Sequence, residues 1–221
     1  MNLTLLIPAK KESESLPKVL KELNKFDLKT LIVLESKDKE TIDTITYDNC
    51  EILIQKGRGY GNALIEGINN INTKYFCIFN ADGSFNPSEI ENMYKIADNN
   101  NYDLVFGSRY EKNAGSDDDT IITWLGNKVF SFFGKFFFSL PISDILYTFV
   151  LGNTKKTKML NLKGQDFTFC VELPIKAQRN NYKLISTSAM ERSRIAGKKK
   201  VNAFKDGFLI LLAMIKLFLK N

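Results

Sequence analysis

The 221-residue sequence contains no histidine and only three cysteines. Without histidine there is no Ser-His-Asp triad, no Cys-His pair and no imidazole-ligated metal. Cys50, Cys77 and Cys170 are far apart and odd in number, which argues against a disulfide framework and against a zinc knuckle. Cys77 in KYFCIF and Cys170 in FTFCVE lie among apolar residues and read as small core hydrophobes of a reduced, cytosolic protein. Long hydrophobic runs are missing too. Phe208–Ile215, apolar throughout, is interrupted by Lys216, whereas a membrane span needs about 20 residues. The opening MNLTLLIPAKK carries its charges downstream of a short apolar stretch, unlike a signal peptide.

What is present is ordinary for a soluble globular domain, with 44% hydrophobic and 25% charged residues, which excludes wholesale disorder. The length suits one large domain, or one domain with an appendage. The formal charge of +6 is unevenly spread. Residues 1–150 hold 16 Lys+Arg against 21 Asp+Glu, and residues 151–221 hold 15 against 4. A solvated basic face accounts for such a tail, and so does an anionic partner: nucleic acid, a phosphorylated substrate or a membrane surface.

Short apolar runs alternate with helical patterns. LTLLI (3–7), TLIVL (30–34), EILI (51–54), YFCIF (75–79) and DLVFG (103–107) are strand candidates. Helical spacing joins Leu16, Val19, Leu20 and Leu23, and Pro87 opens a helix in FNPSEIENMYKIA. The rhythm predicts an α/β fold, a mainly parallel sheet with helices on both faces, whose ligands sit beyond the C-terminal strand ends. Further on, a polar loop (108–120) precedes a helix at 121–138 rich in Phe. Its arc of Phe130, Phe133 and Phe137, flanked by Phe132 and Phe136, suits either a core helix or a membrane-surface helix. A strand at Ile145–Val150, a helix at 167–179 kinked or reset by Pro174 and a strand at 182–188 complete the expectation. Residues 1–202 form the domain and 203–221 an amphipathic, interfacial or packed helix.

Chemistry gathers in the loops after these strands. In NADGS (80–84), Asn80 and Asp82 project from the same side of an extended backbone. Oxygen ligands of this kind hold Mg²⁺ or Mn²⁺ between protein and a diphosphate, although N-x-D-G is also a common turn. GRGYG (57–61) puts glycines and Arg58 at a helix N-terminus, where amides and the dipole favour phosphate. It is neither a Walker loop nor a complete G-x-G-x-x-G fingerprint.

Taken in order, IPAKKESESL (7–16), VLESKDKET (33–41), GRGYGNALIEGI (57–68), FNADGSFNPSEI (79–90), FGSRY (106–110), SDILYTF (143–149), FTFCVELPIKA (167–177) and ERSRIAGKKKVN (191–202) resemble glycosyltransferase family 2 and its GT-A fold, in particular the dolichyl- or polyprenyl-phosphate sugar transferase branch. The resemblance implies that Pro8, Lys10, Glu12, Val33 and Glu35 meet the base and ribose of a nucleotide sugar. Gly57, Arg58, Asn80, Ala81, Asp82 and Arg194 would complete the nucleotide-sugar site, and Asp82 with Asn80 would bind a divalent metal. Asn80 stands where the family has Asp, so the site has one charge fewer; a catalytically silent nucleotide-sugar binder is the reading this departure leaves open. Asp82, Arg109 and Lys200 are the implied catalytic residues. Arg109 would face phosphate, and Lys200 with Lys198, Lys199 and Arg194 would clamp the sugar diphosphate. Lys128 would add charge on the acceptor side.

The resemblance implies an inverting displacement at the anomeric carbon, with cations stabilising the departing nucleoside diphosphate. A lipid-phosphate acceptor is already an anionic nucleophile, in keeping with a chain that lacks His. A glycan or other hydroxyl acceptor would need a carboxylate base, for which Asp144, Asp166 and Glu172 are candidates. Asp117, Asp118 and Asp119 read as a solvated loop cluster or an acceptor lid. A peripheral position on the cytosolic face of a membrane follows, with room for a separate membrane-protein partner. A nucleic-acid partner does not follow, since no RNA- or DNA-binding module is recognisable.

Overall fold

The computed structural model describes residues 1–197 and 201–219. Along the chain run β1 (Leu3–Pro8), α1 (Leu16–Leu23), β2 (Lys29–Leu34), α2 (Lys39–Ile42), β3 (Cys50–Ile54), α3 (Tyr60–Asn70), β4 (Tyr75–Ile78), α4 (Ile90–Asn99), β5 (Leu104–Ser108), β6 (Gly115–Ser116), α5 (Ile121–Phe138), β7 (Val150–Asn153), α6 (Thr154–Met159), α7 (Phe169–Arg179), β8 (Leu184–Ser188), β9 (Met190–Glu191) and α8 (Ala203–Leu219). The main sheet has the order β3-β2-β1-β4-β7-β5-β8, and β6 pairs with β9 in a separate ribbon.

β1, β2, β3 and β4 are mutually parallel, and β5 is parallel to β8. β7 is antiparallel to both β4 and β5, so six strands point one way and β7 alone runs back between them. The fold is thus the α/β, mainly parallel, GT-A arrangement. Period-two alternation divides the strand side chains between two cores. Leu5, Ile7, Ile32 and Phe79 meet α1 and α4 on one face. Leu6, Val33, Phe76 and Ile78 meet α3 and α7 on the other.

Local sequence explains the helices. α1 buries Leu16, Val19, Leu20 and Leu23 and has Pro17 in its first turn. A 3-10 turn at Pro87–Glu89, capped by the Asn86 side chain, leads into α4. Thr120 and Thr123 form a reciprocal capping box at the start of α5. α7 runs on through Pro174, so the proline does not reset it; every residue from Phe169 to Ile175 is buried, and that packing holds the helix together. The strand expected at Ile145–Val150 is instead β7 at Val150–Asn153. The preceding residues are held by side chains: Ser131 Oγ accepts the Ile145 N–H at 3.1 Å and Asn127 Oδ1 that of Leu146 at 3.3 Å.

The wide Phe arc of α5 is a core face only in part: Phe130 and Phe133 pack half-buried against the core. Its buried residues are Asn127, Ser131 and Gly134, while Phe132, Phe136 and Phe137 are exposed. α8 lies beside α5 and α7, with Ile210 and Met214 in the core and Phe218 against Phe137. Among the described residues no helix is long and apolar enough to cross a membrane.

Gly59 joins the Gly-rich loop to the rest of the fold. Its φ is +99°, and a Cβ there would lie 2.2 Å from the Gln165 carbonyl oxygen. Strain and a backbone clash act together, so Gly59→Ala is expected to lower stability by about 2–3 kcal/mol, read as the denaturation midpoint in urea.

Candidate active site

The C-terminal ends of β1, β2, β4 and β5 open on one edge of the sheet, where the loops at 8–12, 35–38, 80–84 and 109–119 meet. The residues expected to hold a nucleotide base begin here. Pro8 ends β1. Lys10 bridges to Glu35 at 2.9 Å, and Lys37 reaches the same carboxylate at 2.7 Å. Glu12 is buried, accepting from Ser15 Oγ at 2.7 Å, while its N–H donates to Thr41 Oγ1 at 3.0 Å. It secures the entry to α1. The Val33 side chain is fully buried in the core, so only its backbone reaches this edge, where its carbonyl accepts the Ala9 N–H.

The Gly-rich loop is spent differently from the expectation. The amides of Lys56 and Gly57 both donate to the Glu66 carboxylate at 2.9 Å, and the Asn62 N–H donates to the Gln165 carbonyl at 3.0 Å. The N-terminus of α3 is therefore covered by the segment around Gln165 rather than open to phosphate. Arg58 is exposed beside it.

NADGS forms a tight turn. Asp82 Oδ1 accepts from the Ser84 N–H at 3.0 Å and from Ser84 Oγ at 2.7 Å. Asn80 Nδ2 donates to Ser84 Oγ at 3.3 Å, and Ala81 is buried. Residues 192–197 cross this turn. The Arg192 N–H donates to the Ser84 carbonyl and the Ile195 N–H to the Asp82 carbonyl, each at 2.8 Å. Gly83 has φ +82°, and a Cβ on it would strike Ile195 Cδ1 at 2.4 Å. The Arg192 guanidinium grips Glu22 at 2.8 and 3.0 Å, fastening the crossing segment to α1.

Two arginines organise the remaining charge. Arg194 lies between Asp118 at 2.7 Å and Asp82 at 3.5 Å; the Asp118 hydrogen bond raises its pKa further. Arg109 was expected to face phosphate. Instead its Nε and Nη2 donate to Asp144 at 2.8 and 3.0 Å, and its Nη1 to Glu191 at 3.0 Å. Nη1 also lies 3.6 Å from Asp119. The guanidinium sits over the Tyr147 ring at 4.7 Å. Asp144 is fully buried and also accepts from Asn127 Nδ2. Arg109 is therefore an internal pin joining β5, α5 and β9. Lys200, and the clamp expected of Lys198 and Lys199, lie outside the described residues.

The candidate bases for a hydroxyl acceptor have structural roles. Asp144 is held by Arg109, Asp166 caps the Thr168 N–H, and Glu172 accepts the Lys163 and Gly164 amides while pairing with Lys176. Asp118 and Asp119 are half-buried partners of the arginines rather than a solvated cluster; Asp117 alone of the three is exposed. Lys128 Nζ sits 3.8 Å above the Tyr110 ring. Asn127, Asp144 and Glu191 were not picked out for this network. The available signal was a pair of polar residues, Asn127 and Ser131, one turn apart in a Phe-rich helix.

The sequence profile of glycosyl transferase family 2 matches residues 4–160. The chain belongs to glycosyltransferase family 2. Similar curated proteins span almost their whole length with this family 2 chain. An uncharacterized protein of Methanocaldococcus jannaschii is 26% identical, over 96% of this chain and 91% of its own. An uncharacterized glycosyltransferase of Mycobacterium tuberculosis is 23% identical, over 95% and 94%. Among solved structures, glucosyl-3-phosphoglycerate synthase of M. tuberculosis, in complex with Mn²⁺, UDP and phosphoglyceric acid, has TM-score 0.74 at 9% identity, covering 98% of this chain and 78% of that one. Mannosyl-3-phosphoglycerate synthase of Rubrobacter xylanophilus has TM-score 0.67 at 11% identity, covering 99% and 72%. At such identities they establish the GT-A fold of this family 2 glycosyltransferase.

Two measurements test the geometry. Lys37 and Lys10 hold the Glu35 carboxyl down at about 2. Its ionised form therefore adds stability in full above the ordinary value of 4.5, and the contribution is lost only as pH falls toward 2. Replacing both lysines by Met is expected to return Glu35 to the ordinary range in an NMR pH titration. Asp144→Ala would strand the Arg109 charge in the interior and is expected to cost about 3–5 kcal/mol in chemical denaturation.

Proposed function

We propose that this family 2 enzyme transfers a sugar from a nucleotide sugar to a polyprenyl phosphate at the cytosolic face of a membrane. The observation that carries the reading is the charge arrangement at the strand ends. Asp82, Asp118, Asp119, Asp144 and Glu191 are each set against Arg109 or Arg194. Such a site sets Arg194 beside the Asp82 turn and has its carboxylates already engaged, which suits an acceptor that needs no general base. UDP is the nucleotide bound in the glucosyl-3-phosphoglycerate synthase complex, and a uridine nucleotide is the first donor to test.

The residues at the turn fit a hard divalent cation. Asp82 leaves Oδ2 facing a positive charge, Arg194, while Oδ1 holds the turn. Asn80 adds a neutral amide oxygen on the same short segment. Among the described residues no cluster of three or more acidic, Cys or His ligands is present, so the substrate's own oxygens and water would complete the shell. Mg²⁺ or Mn²⁺ held by Asp82 and Asn80 would supply charge neutralisation of the leaving diphosphate.

The chain's own groups perform the rest. An acceptor phosphate oxygen attacks the anomeric carbon as the bond to the diphosphate oxygen breaks, and the electron pair leaves with the nucleoside diphosphate. Arg194 and Lys200 are the cations that meet this charge, and Arg109 acts through Asp144 and Glu191 as a positioning residue. Glu35 and the Pro8–Glu12 loop hold base and ribose.

A second reading takes a hydroxyl acceptor, a glycan or a small phosphorylated acid. Both solved neighbours are named as phosphoglycerate glycosyl synthases. Here Asp119 supports the reading, because its buried Oδ2 accepts no hydrogen bond and meets Arg109 Nη1 at 3.6 Å.

Transfer of radiolabelled sugar separates the two. Label extracted into organic solvent with a polyprenyl phosphate is the expected result; label confined to water-soluble product selects the hydroxyl acceptor. Asp82→Asn keeps an acceptor oxygen for the Ser84 turn but removes the charge. It is expected to reduce transfer on the order of 100-fold or more with an unchanged melting temperature, and wild-type turnover would refute the assigned site.

A further inference from the structure

α5 is inside-out. It buries Asn127, Ser131 and Gly134 and turns Ile122, Leu125, Val129, Phe132 and Phe136 outward, with Phe132 60% and Phe136 69% exposed. Those five recur at helical spacing as one outward stripe. α8 repeats the pattern. Phe204, Phe208, Leu212, Ile215 and Leu219 are exposed, Phe204 to 82%. Phe130 lies over Gly207 and Phe137 against Phe218, so the helices run side by side in the same direction and their outward stripes adjoin. Monomeric proteins seldom expose apolar surface on this scale without using it.

The surrounding charge identifies the occupant. Lys128, Lys135, Lys205 and Lys216 are exposed along the two helices. The single carboxylate on their described length, Asp206, is turned back onto the Asn202 N–H at 2.7 Å. Two copies joined through this face would oppose lysine to lysine with no carboxylate to relieve them. An anionic lipid surface complements both the cationic rim and the aromatic stripe. At 1.5 Å per residue the 18 residues of α5 extend about 27 Å in the plane of such a surface. The first turn of α5 follows directly on Asp118 and Asp119 of the charge network, which places the stripe at the mouth of the site.

We infer that the joined outward faces of α5 and α8 are a docking surface for an anionic lipid bilayer, on which the enzyme lies with its strand-end site beside the headgroups. The geometry stands on exposure and charge; its purpose, presentation of a lipid-phosphate acceptor, rests on the function proposed above.

The test is sedimentation of the whole chain with phosphatidylcholine vesicles and with vesicles that also contain phosphatidylglycerol. Partition into the anionic vesicles is expected to exceed that into the neutral ones at least tenfold or so. Phe132→Ser with Phe136→Ser should weaken it by about tenfold or more, and Lys135→Glu with Lys216→Glu should remove most of the preference for phosphatidylglycerol. These side chains are exposed, and an unchanged thermal midpoint confirms that the variants fold. Failure to bind either vesicle overturns the inference. So does a homodimer in light scattering that the double Phe variant converts to monomer, because the face would then belong to a second copy. Vesicle binding together with label only in water-soluble product would leave the docking surface standing and remove the lipid acceptor.

Discussion

The buried pair of Arg109 and Asp144 is the contact on which the site depends. A carboxylate with no exposure persists in the interior only when its charge is matched and its lone pairs are filled. Here the Arg109 backbone and side chain and the Asn127 amide do both. Those partners come from the end of β5 and from α5, and Asp144 itself from the segment before β7. Glu191 extends the same guanidinium to β9, and Ser116 of β6 donates to Glu191. One ion pair thereby fixes the ribbon, the Phe-rich helix and the edge of the main sheet relative to one another. The polar inner positions of α5 follow from it, since those near Asp144 are given to Asn127 and Ser131, while Phe130, Phe133 and Phe138 pack beside them and the other apolar residues face outward.

The charged groups of the site are paired among themselves. Arg194 pairs with Asp82 and Asp118, and Arg109 with Asp144, Glu191 and Asp119, two cations against five carboxylates. A diphosphate entering here competes with carboxylates for the same guanidinium, and a cation approaching Asp82 competes with Arg194. Binding is then an exchange of partners rather than the filling of a charged void, which limits the desolvation cost in either state.

Much of this was legible from residue order. The five strand runs, the α1 face at Leu16–Leu23 and the Pro87 helix start are local patterns, and they fold where periodicity puts them. The ordered loops also pointed to the right family. Long-range partnerships were not legible. Nothing local says that Asp144 lies under Arg109, that Glu66 takes the loop amides beside Gly57, or that Asp118 meets Arg194 across 76 residues. The error at Ile145–Val150 has the same origin: side chains of α5 hold that backbone, so an apolar run that suits a strand begins one only at Val150. Pro174 shows the converse, with tertiary packing overriding a local helix breaker.

The reversed strand β7 also acts as a spacer. Neighbouring strands lie roughly 4.8 Å apart, so inserting one between β4 and β5 sets their ends about 10 Å from each other. Those two ends carry the Asp82 turn and the Arg109 pin. Because β7 runs the other way, it reaches this edge by its first residue, Val150, and the preceding Tyr147 and Phe149 fill the floor between them against Phe85. The width of the cleft, and with it the size of the group that can sit across it, is thus set by the insertion of a single short strand.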